Sequence, residues 1–151
     1  MGSTLNFLGL TNIAVREVTA KYPDAQLYEG DGTPPNGPTS NVADVNEWRF
    51  VFRAGDGGTA IIKNVSWGEF GPIEYIDQPW VEDVVIPWPI EMDITKADEL
   101  LKQAGFTGTY GAVTLRWPLG PQKGEPYYIF GLTTGQYVFV GVYSGTVHTG
   151  S

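Results

Sequence analysis

Valines alternate with larger residues along Gln136-Tyr137-Val138-Phe139-Val140-Gly141-Val142-Tyr143, which is typical of a β-strand. Because successive side chains on a strand point to opposite faces of a sheet, the valines share one face and the rings share the other. An ordinary half-buried strand carries polar residues on its second face. We therefore expect one face to pack on a helix, and the aromatic face to be covered by the chain itself or to bind a partner.

Length, charge and cysteine content narrow the class of protein. The chain has 151 residues, a common size for one domain, so we expect a single domain over residues 1–151. It has no cysteine, which excludes disulfides and thiolate metal sites. Seventeen acidic and nine basic residues give a net charge of −8, which argues against nucleic acid. This charge would favour a basic protein or peptide partner, or it merely keeps the protein soluble.

No apolar stretch approaches the length of about 20 residues that a membrane helix needs. The first residues, Met1-Gly2-Ser3-Thr4-Leu5, also lack a basic region followed by an apolar run. We expect a soluble protein without a membrane partner, either cytoplasmic or secreted after removal of a signal peptide.

Two stretches have the spacing of amphipathic helices. The first runs from a cap at Thr11 or Asn12 to about Tyr22. The second has a cap at Asp93 or Thr95 and ends at Gly105. Its apolar stripe consists of Ile94, Ala97, Leu101 and Ala104.

Most of the remaining chain alternates like strands and is divided by glycine turns. We predict an α+β fold, with an antiparallel sheet of about seven to eight strands and two helices packed on one face. Residues 30–45 read as a surface loop with few buried contacts. Residues 77–92 are rich in proline and tryptophan and read as a joint between two halves.

The two halves, residues 10–76 and 93–147, share an outline of a helix followed by antiparallel strands with aromatic alternation. Tyr22-Pro23-Asp24-Ala25 and Trp48-Arg49-Phe50-Val51-Phe52 in the first half resemble a PepSY-type module. The stretches 96–101, 127–130, 137–140 and 144–147 resemble a second one. Tandem modules of this kind resemble the bacterial β-lactamase-inhibitor proteins, which implies helices on one face of a sheet and protein binding by the other.

The sequence offers little support for catalysis, a metal or a cofactor. His148, the single histidine, lies in a small polar tail and reads as a solvated bystander. Asp31 and Asp44 lack the alternating oxygen ligands of a calcium loop. Five acids near tryptophans suggest either a glycosidase carboxyl pair or, more simply, an exposed acidic connection. They are Glu69, Glu74, Asp77, Glu82 and Asp83.

The function favoured by these patterns is non-catalytic recognition of a protein or peptide through an aromatic sheet face. The predicted binding residues are Tyr127, Ile129, Tyr137, Phe139 and Tyr143, together with Trp67, Trp80 and Trp88. Two alternatives stay open: a protein that binds a carbohydrate or a small apolar ligand, and a homo-oligomer that uses the aromatic face as its own interface. An enzyme with a carboxyl pair ranks after these.

Overall fold

A computed structural model describes residues 5–119 and 124–150, which form ten strands and two α-helices. The helices are α1 (Phe7–Lys21) and α2 (Ile94–Gln103). The strands are β1 (Gln26–Thr33), β2 (Glu47–Arg53), β3 (Thr59–Ser66), β4 (Glu69–Phe70), β5 (Glu74–Ile76), β6 (Asp83–Val84), β7 (Tyr110–Pro118), β8 (Tyr127–Leu132), β9 (Tyr137–Gly141) and β10 (Val147–Gly150).

All the pairings between named strands are antiparallel, and the order across the sheet is β10-β9-β8-β7-β1-β2-β3-β4. Strands β5 and β6 pair with β3 and β7, respectively. The first strand therefore lies in the middle of the sheet, beside a strand that lies far from it in the sequence. This arrangement brings side chains from distant parts of the sequence onto one surface.

The core lies between one face of the sheet and the two helices. Its buried residues include Leu10, Ala14 and Val18 from α1 and Ile94, Ala97 and Leu101 from α2. Trp48, Phe50 and Phe52 of β2 and Val138 and Val140 of β9 belong to the same cluster. We call the opposite side of the sheet the second face.

The predicted class, an α+β fold in which two helices on one face balance a sheet of about seven to eight strands, is wrong. The helices contribute only 15 and 10 residues beside a ten-stranded sheet, so the fold is β-rich. The sequence pattern missed β4, which has two residues, and β10, which lies in the polar tail. Main-chain pairing with a neighbouring strand forms both, and side-chain alternation does not reveal such pairing.

The helix boundaries also differ in part from the sequence prediction. Helix α1 begins at Phe7, because the side chain of Asn6 caps it by accepting from the Gly9 amide at 2.8 Å. Asp93 caps α2 as predicted and also accepts from the Leu8 amide at 3.0 Å. One carboxylate thus links the starts of both helices.

The segment predicted as a loop over residues 30–45 is more ordered than expected. Strand β1 continues to Thr33, and Val42–Asp44 form a 3₁₀-helix. Thr39 and Tyr110 exchange two main-chain hydrogen bonds, and Val42 is buried. Main-chain hydrogen bonds to β7 fix the position of this segment. It is therefore not the surface loop with few buried contacts that its composition predicted.

Candidate binding face

The aromatic half of the sheet's second face is built by β8 and β9. Ile129 pairs with Phe139, and Gly131 pairs with Tyr137, so these side chains alternate away from the core valines. Tyr137 is 59% exposed, whereas Ile129 and Phe139 are half-buried. All three line a groove of about 430 Å³. This part of the predicted aromatic face lies together on an accessible surface.

Tyr127 faces the same side but lies beneath the other rings, with only 6% of its surface exposed. Its ring meets Phe139 edge-on, with centroids 5.6 Å apart, and it meets His148 in the same way at 5.6 Å. Burial, with the charge of Glu125, raises the pKa of Tyr127. Tyr127 therefore supports the face from below, and its ring is not open to a partner.

His148 does not lie in a solvated tail as the sequence predicted. It belongs to β10, where it pairs with Phe139. Its Nε2 is buried and has no hydrogen-bond partner. The sequence did not predict this strand, because residues 147–150 show no alternation of apolar and polar side chains.

Tyr143 is exposed but stands apart from the groove. Strand β9 ends at Gly141, and Tyr143 lies in the turn that follows. The Glu125 carboxylate holds this turn by accepting from the amides of Tyr143 and Ser144 at 2.7 and 2.8 Å. The ring of Tyr143 instead meets Trp117 edge-on at 6.2 Å. The continuous strand alternation assumed from the sequence stops before this residue.

The three predicted tryptophans are dispersed over the molecule. Trp80 lies at the second face, where its ring is 6.0 Å from the Arg49 guanidinium and its Nε1 donates to Asp83 at 2.7 Å. Trp67 donates to the Leu5 carbonyl, and Trp88 donates to Asn12 of α1. Only Trp80 belongs to the same surface as Tyr137 and Phe139.

Beside the aromatic groove lies a cluster of charged side chains that the sequence analysis did not bring together. Its members are Glu29 and Asp31 of β1, Arg49 of β2, Asp83 of β6 and Arg116 of β7; we call it the carboxyl cluster. Arg49 Nη2 is 2.8 Å from Asp31, and Arg116 Nε is 2.7 Å from Asp83. Because β1 lies between β2 and β7, residues from distant parts of the chain meet here.

Two acids of this cluster, Glu29 and Asp31, line the groove. Glu29 is the less exposed of the two, with 5% of its surface accessible. Burial comes first among the causes that raise the pKa of Glu29 well above its ordinary value, and hydrogen bonds with Asp31 and Asp83 act in the same direction. Arg49 opposes this effect, but it is 3.8 Å from Glu29 and makes its shorter contact with Asp31. Glu29 therefore holds its proton at neutral pH and donates it to a neighbouring carboxylate.

The Glu29–Asp83 pair does not have the spacing of a glycosidase site. The two carboxyl groups of such an enzyme stand about 5–9.5 Å apart across the bond they cleave. Here Glu29 hydrogen-bonds directly to Asp83, whose side chain has no exposed surface. Of the five acids that the sequence placed near tryptophans, only Glu82 and Asp83 reach the cluster or its groove. Within residues 5–119 and 124–150, no group of acids and histidine is arranged to hold a metal ion.

No protein-family model and no curated protein matches the sequence. Among solved structures, the fold is similar to the crystal structure of a candidate lipoprotein from Clostridium difficile 630. The TM-score is 0.63 at 13% identity, and the match covers 97% of this chain and 100% of the other. At this identity the likeness shows a shared fold and nothing about the site. No helix in the described part of the chain is long and apolar enough to span a membrane.

These comparisons do not test the resemblance to PepSY-type modules, which stays a prediction, as do the half-repeats over residues 10–76 and 93–147.

Proposed function

We propose that this chain is a non-catalytic recognition module that binds a protein or peptide through the second face of its sheet. The observation that carries the proposal is the exposed ring of Tyr137, which stands with Phe139 and Ile129 at the wall of a groove of about 430 Å³. Exposed aromatic side chains beside a groove are typical anchors of protein interfaces.

The shape of the groove favours a peptide segment over a single sugar ring. Apart from Glu82, which precedes β6, its lining residues come from β1, β7, β8, β9 and β10, which are neighbours in the sheet. With strands about 4.8 Å apart, the groove crosses roughly 20 Å of sheet. An extended chain covers that distance with about six residues.

The candidate lipoprotein with the same fold suggests one setting for such binding. A location outside the cytoplasm would match that neighbour and would give the second face access to extracellular proteins. A cytoplasmic location remains the other prediction from the sequence.

A displayed random-peptide library tests the proposed function, because it offers the groove many candidate partners at once. The library is panned on the wild-type protein and on the variant Tyr137→Ser. We expect families of peptides that the wild type enriches and the variant does not. Tyr143→Ser is a matched control, since Tyr143 is 57% exposed but lies in a turn outside the groove. Equal enrichment by the wild type and Tyr137→Ser would place recognition elsewhere.

Sedimentation of the same proteins distinguishes a second copy of the chain from a different partner. A recognition module for another protein stays monomeric at the concentrations used for panning. A wild-type dimer that Tyr137→Ser converts to a monomer would show instead that the aromatic face is an interface between copies.

A cavity near Trp67 favours a small apolar ligand as a second candidate function. It measures about 380 Å³, and its apolar lining includes Phe7, Val42, Val45 and Ile94. The indole nitrogens of Trp48 and Trp67 already donate to main-chain carbonyls, so the lining offers few free polar groups. Titration with 1-anilinonaphthalene-8-sulfonate tests this site, because a bound probe fluoresces and Val45→Trp should then exclude it. No fluorescence increase with the folded wild type would remove this candidate.

A further inference from the structure

The groove has one acidic end with an unusual buried carboxyl. Glu29 lines it with 7% of its side chain exposed, and no N–H group of the described residues hydrogen-bonds to it. The nearest positive group, Arg49 Nη2, lies 3.8 Å away and donates to Asp31 at 2.8 Å. Glu29 is thus a buried carboxyl beside the groove whose side-chain hydrogen bonds are to other carboxyl groups.

The two arginines of the carboxyl cluster are committed to other acceptors. Arg116 donates from Nε to Asp83 at 2.7 Å and from Nη2 to the Glu82 carbonyl at 3.1 Å. The carboxylate of Glu82, which also lines the groove, has no ion pair within the described ranges. With Glu29 protonated, three carboxylates stand beside two guanidinium groups, and the carboxylate without an ion pair, Glu82, lines the groove.

We propose that this end of the groove receives the cationic tip of a lysine or arginine side chain of the protein partner, which takes the place of the proton on Glu29. The inference rests on the proposed function and names the chemistry of the partner. Tyr137 and Phe139 line the same groove on β9, three strands away from Glu29, where they would contact a different part of the same partner. The protein's net charge of −8 favours the approach of a basic partner.

Binding of a cation changes the protonation of Glu29 because the two positive groups compete for one carboxyl. When the ammonium or guanidinium group docks, the Glu29 proton leaves to solvent, and the charge at the site is conserved. The charged and titratable groups around Glu29 are Asp31 on its own strand, Arg49 on β2, Asp83 and Glu82 at β6, and Arg116 on β7. None of these faces the groove as an unpaired cation, so an incoming cation finds an acceptor.

The test uses butylammonium chloride as the probe for a lysine tip, with n-butanol as its neutral match. Amide spectra of the isotope-labelled protein are recorded during both titrations. We expect saturable shifts at groove residues such as Thr114, Ile129 and Gly150 with butylammonium only. If one proton is released per cation, affinity should rise by up to about tenfold for each pH unit between about pH 6 and pH 8.

Two variants connect the binding to the carboxyls. Glu29→Gln keeps a hydrogen-bond donor and cannot ionise. It should lower the affinity for butylammonium by at least about fivefold and remove the pH dependence of that affinity. Asp31→Asn provides a second weakening change if Glu29→Gln folds poorly. Glu91→Gln is the control, because it removes one exposed charge outside the groove.

Three results would overturn the inference: no saturable shifts with butylammonium, equal shifts with n-butanol, or unchanged affinity in both Glu29→Gln and Asp31→Asn. These outcomes are separate from failure of the proposed function, which the peptide library reports through Tyr137. A wild type that enriches peptides lacking lysine and arginine, and does so through Tyr137, would keep the binding face and reject the cation site.

Discussion

Phe139 and His148 lie face to face across β9 and β10, with ring centroids 5.5 Å apart and planes inclined by 7°. His148 thereby covers one side of the aromatic wall of the groove, while Tyr127 meets both rings edge-on. The last strand of the chain is therefore a structural part of the candidate binding face, although its sequence is small and polar.

Removal of this strand should weaken the fold. A chain that stops at Thr146 loses the pairing of Val147–Gly150 with β9 and uncovers Phe139. We expect a lower unfolding temperature, measured by circular dichroism, because a strand ladder and an aromatic stack are lost together. His148→Leu is the control, since it keeps an apolar contact and the strand. An unfolding temperature equal to that of the full chain would mean that β10 contributes nothing to stability.

Stability should fall as the pH rises above the ordinary range of glutamate. Burial and the neighbouring carboxyls raise the pKa of Glu29 in the folded state, so the folded protein binds one more proton than the unfolded chain at neutral pH. This contribution is complete below an unfolded pKa of about 4.3 and is lost as the pH rises toward the folded value. Urea unfolding at a series of pH values measures it.

Glu29→Gln should flatten this pH dependence, because glutamine holds its hydrogen throughout the range. The free energies of unfolding of the wild type and of Glu29→Gln could instead change in parallel from mildly acid to alkaline pH. That result would show that Glu29 is ionised in the folded protein.

The buried carboxylate of Asp98 on α2 provides a test of how this helix packs on the sheet. Tyr110 Oη donates to Asp98 Oδ1 at 2.7 Å, and Lys102 Nζ lies 2.7 Å from Oδ2. Tyr110→Phe removes one donor from an acid that is only 8% exposed, so we expect a loss of about 1–3 kcal/mol in the free energy of unfolding. Tyr137→Phe, whose hydroxyl is at an exposed site, should change stability little. Equal effects of the two variants would show that the Asp98 contact is not important.

The packing of helix α2 should make a large contribution to stability through Leu101. Leu101 has no exposed surface and lies in the cluster that contains Val138 and Val140. Leu101→Ala should cost about 2–5 kcal/mol in the free energy of unfolding, as truncation of buried leucines does. Leu100→Ala, at a half-buried neighbour, should cost less. A loss within experimental error at Leu101 would mean that the helix is peripheral.

Local patterns predicted several elements well. The apolar spacing of Ile94, Ala97 and Leu101 and the cap at Asp93 predicted α2, and the alternation of Trp48, Phe50 and Phe52 predicted β2. These signals come from neighbours in the sequence, which share a helix turn or a strand face. The β-rich class was missed because short strands such as β10 form through pairing alone.

The candidate site was predicted only in part for the same reason. Tyr137 and Phe139 stand two residues apart, so alternation placed them together. Glu29 and Arg116 meet only because β1 lies beside β7, and this order cannot be read from either strand. The acids at positions 29 and 31 of one strand were the one available signal, since acids there require partners if the strand is central.

The double variant Tyr137→Ser with Phe139→Ser, studied by calorimetric titration of a panned peptide and by thermal unfolding in parallel, distinguishes a binding role of these rings from a structural one. If the second face is the binding face, the peptide should lose at least about 2 kcal/mol of binding free energy while the protein still unfolds cooperatively, at a temperature lowered by the loss of the Phe139 stack. Tyr143→Ser should leave both quantities unchanged. Unchanged peptide affinity in the double variant, or a collapse of the fold with no separable effect on binding, would contradict the account.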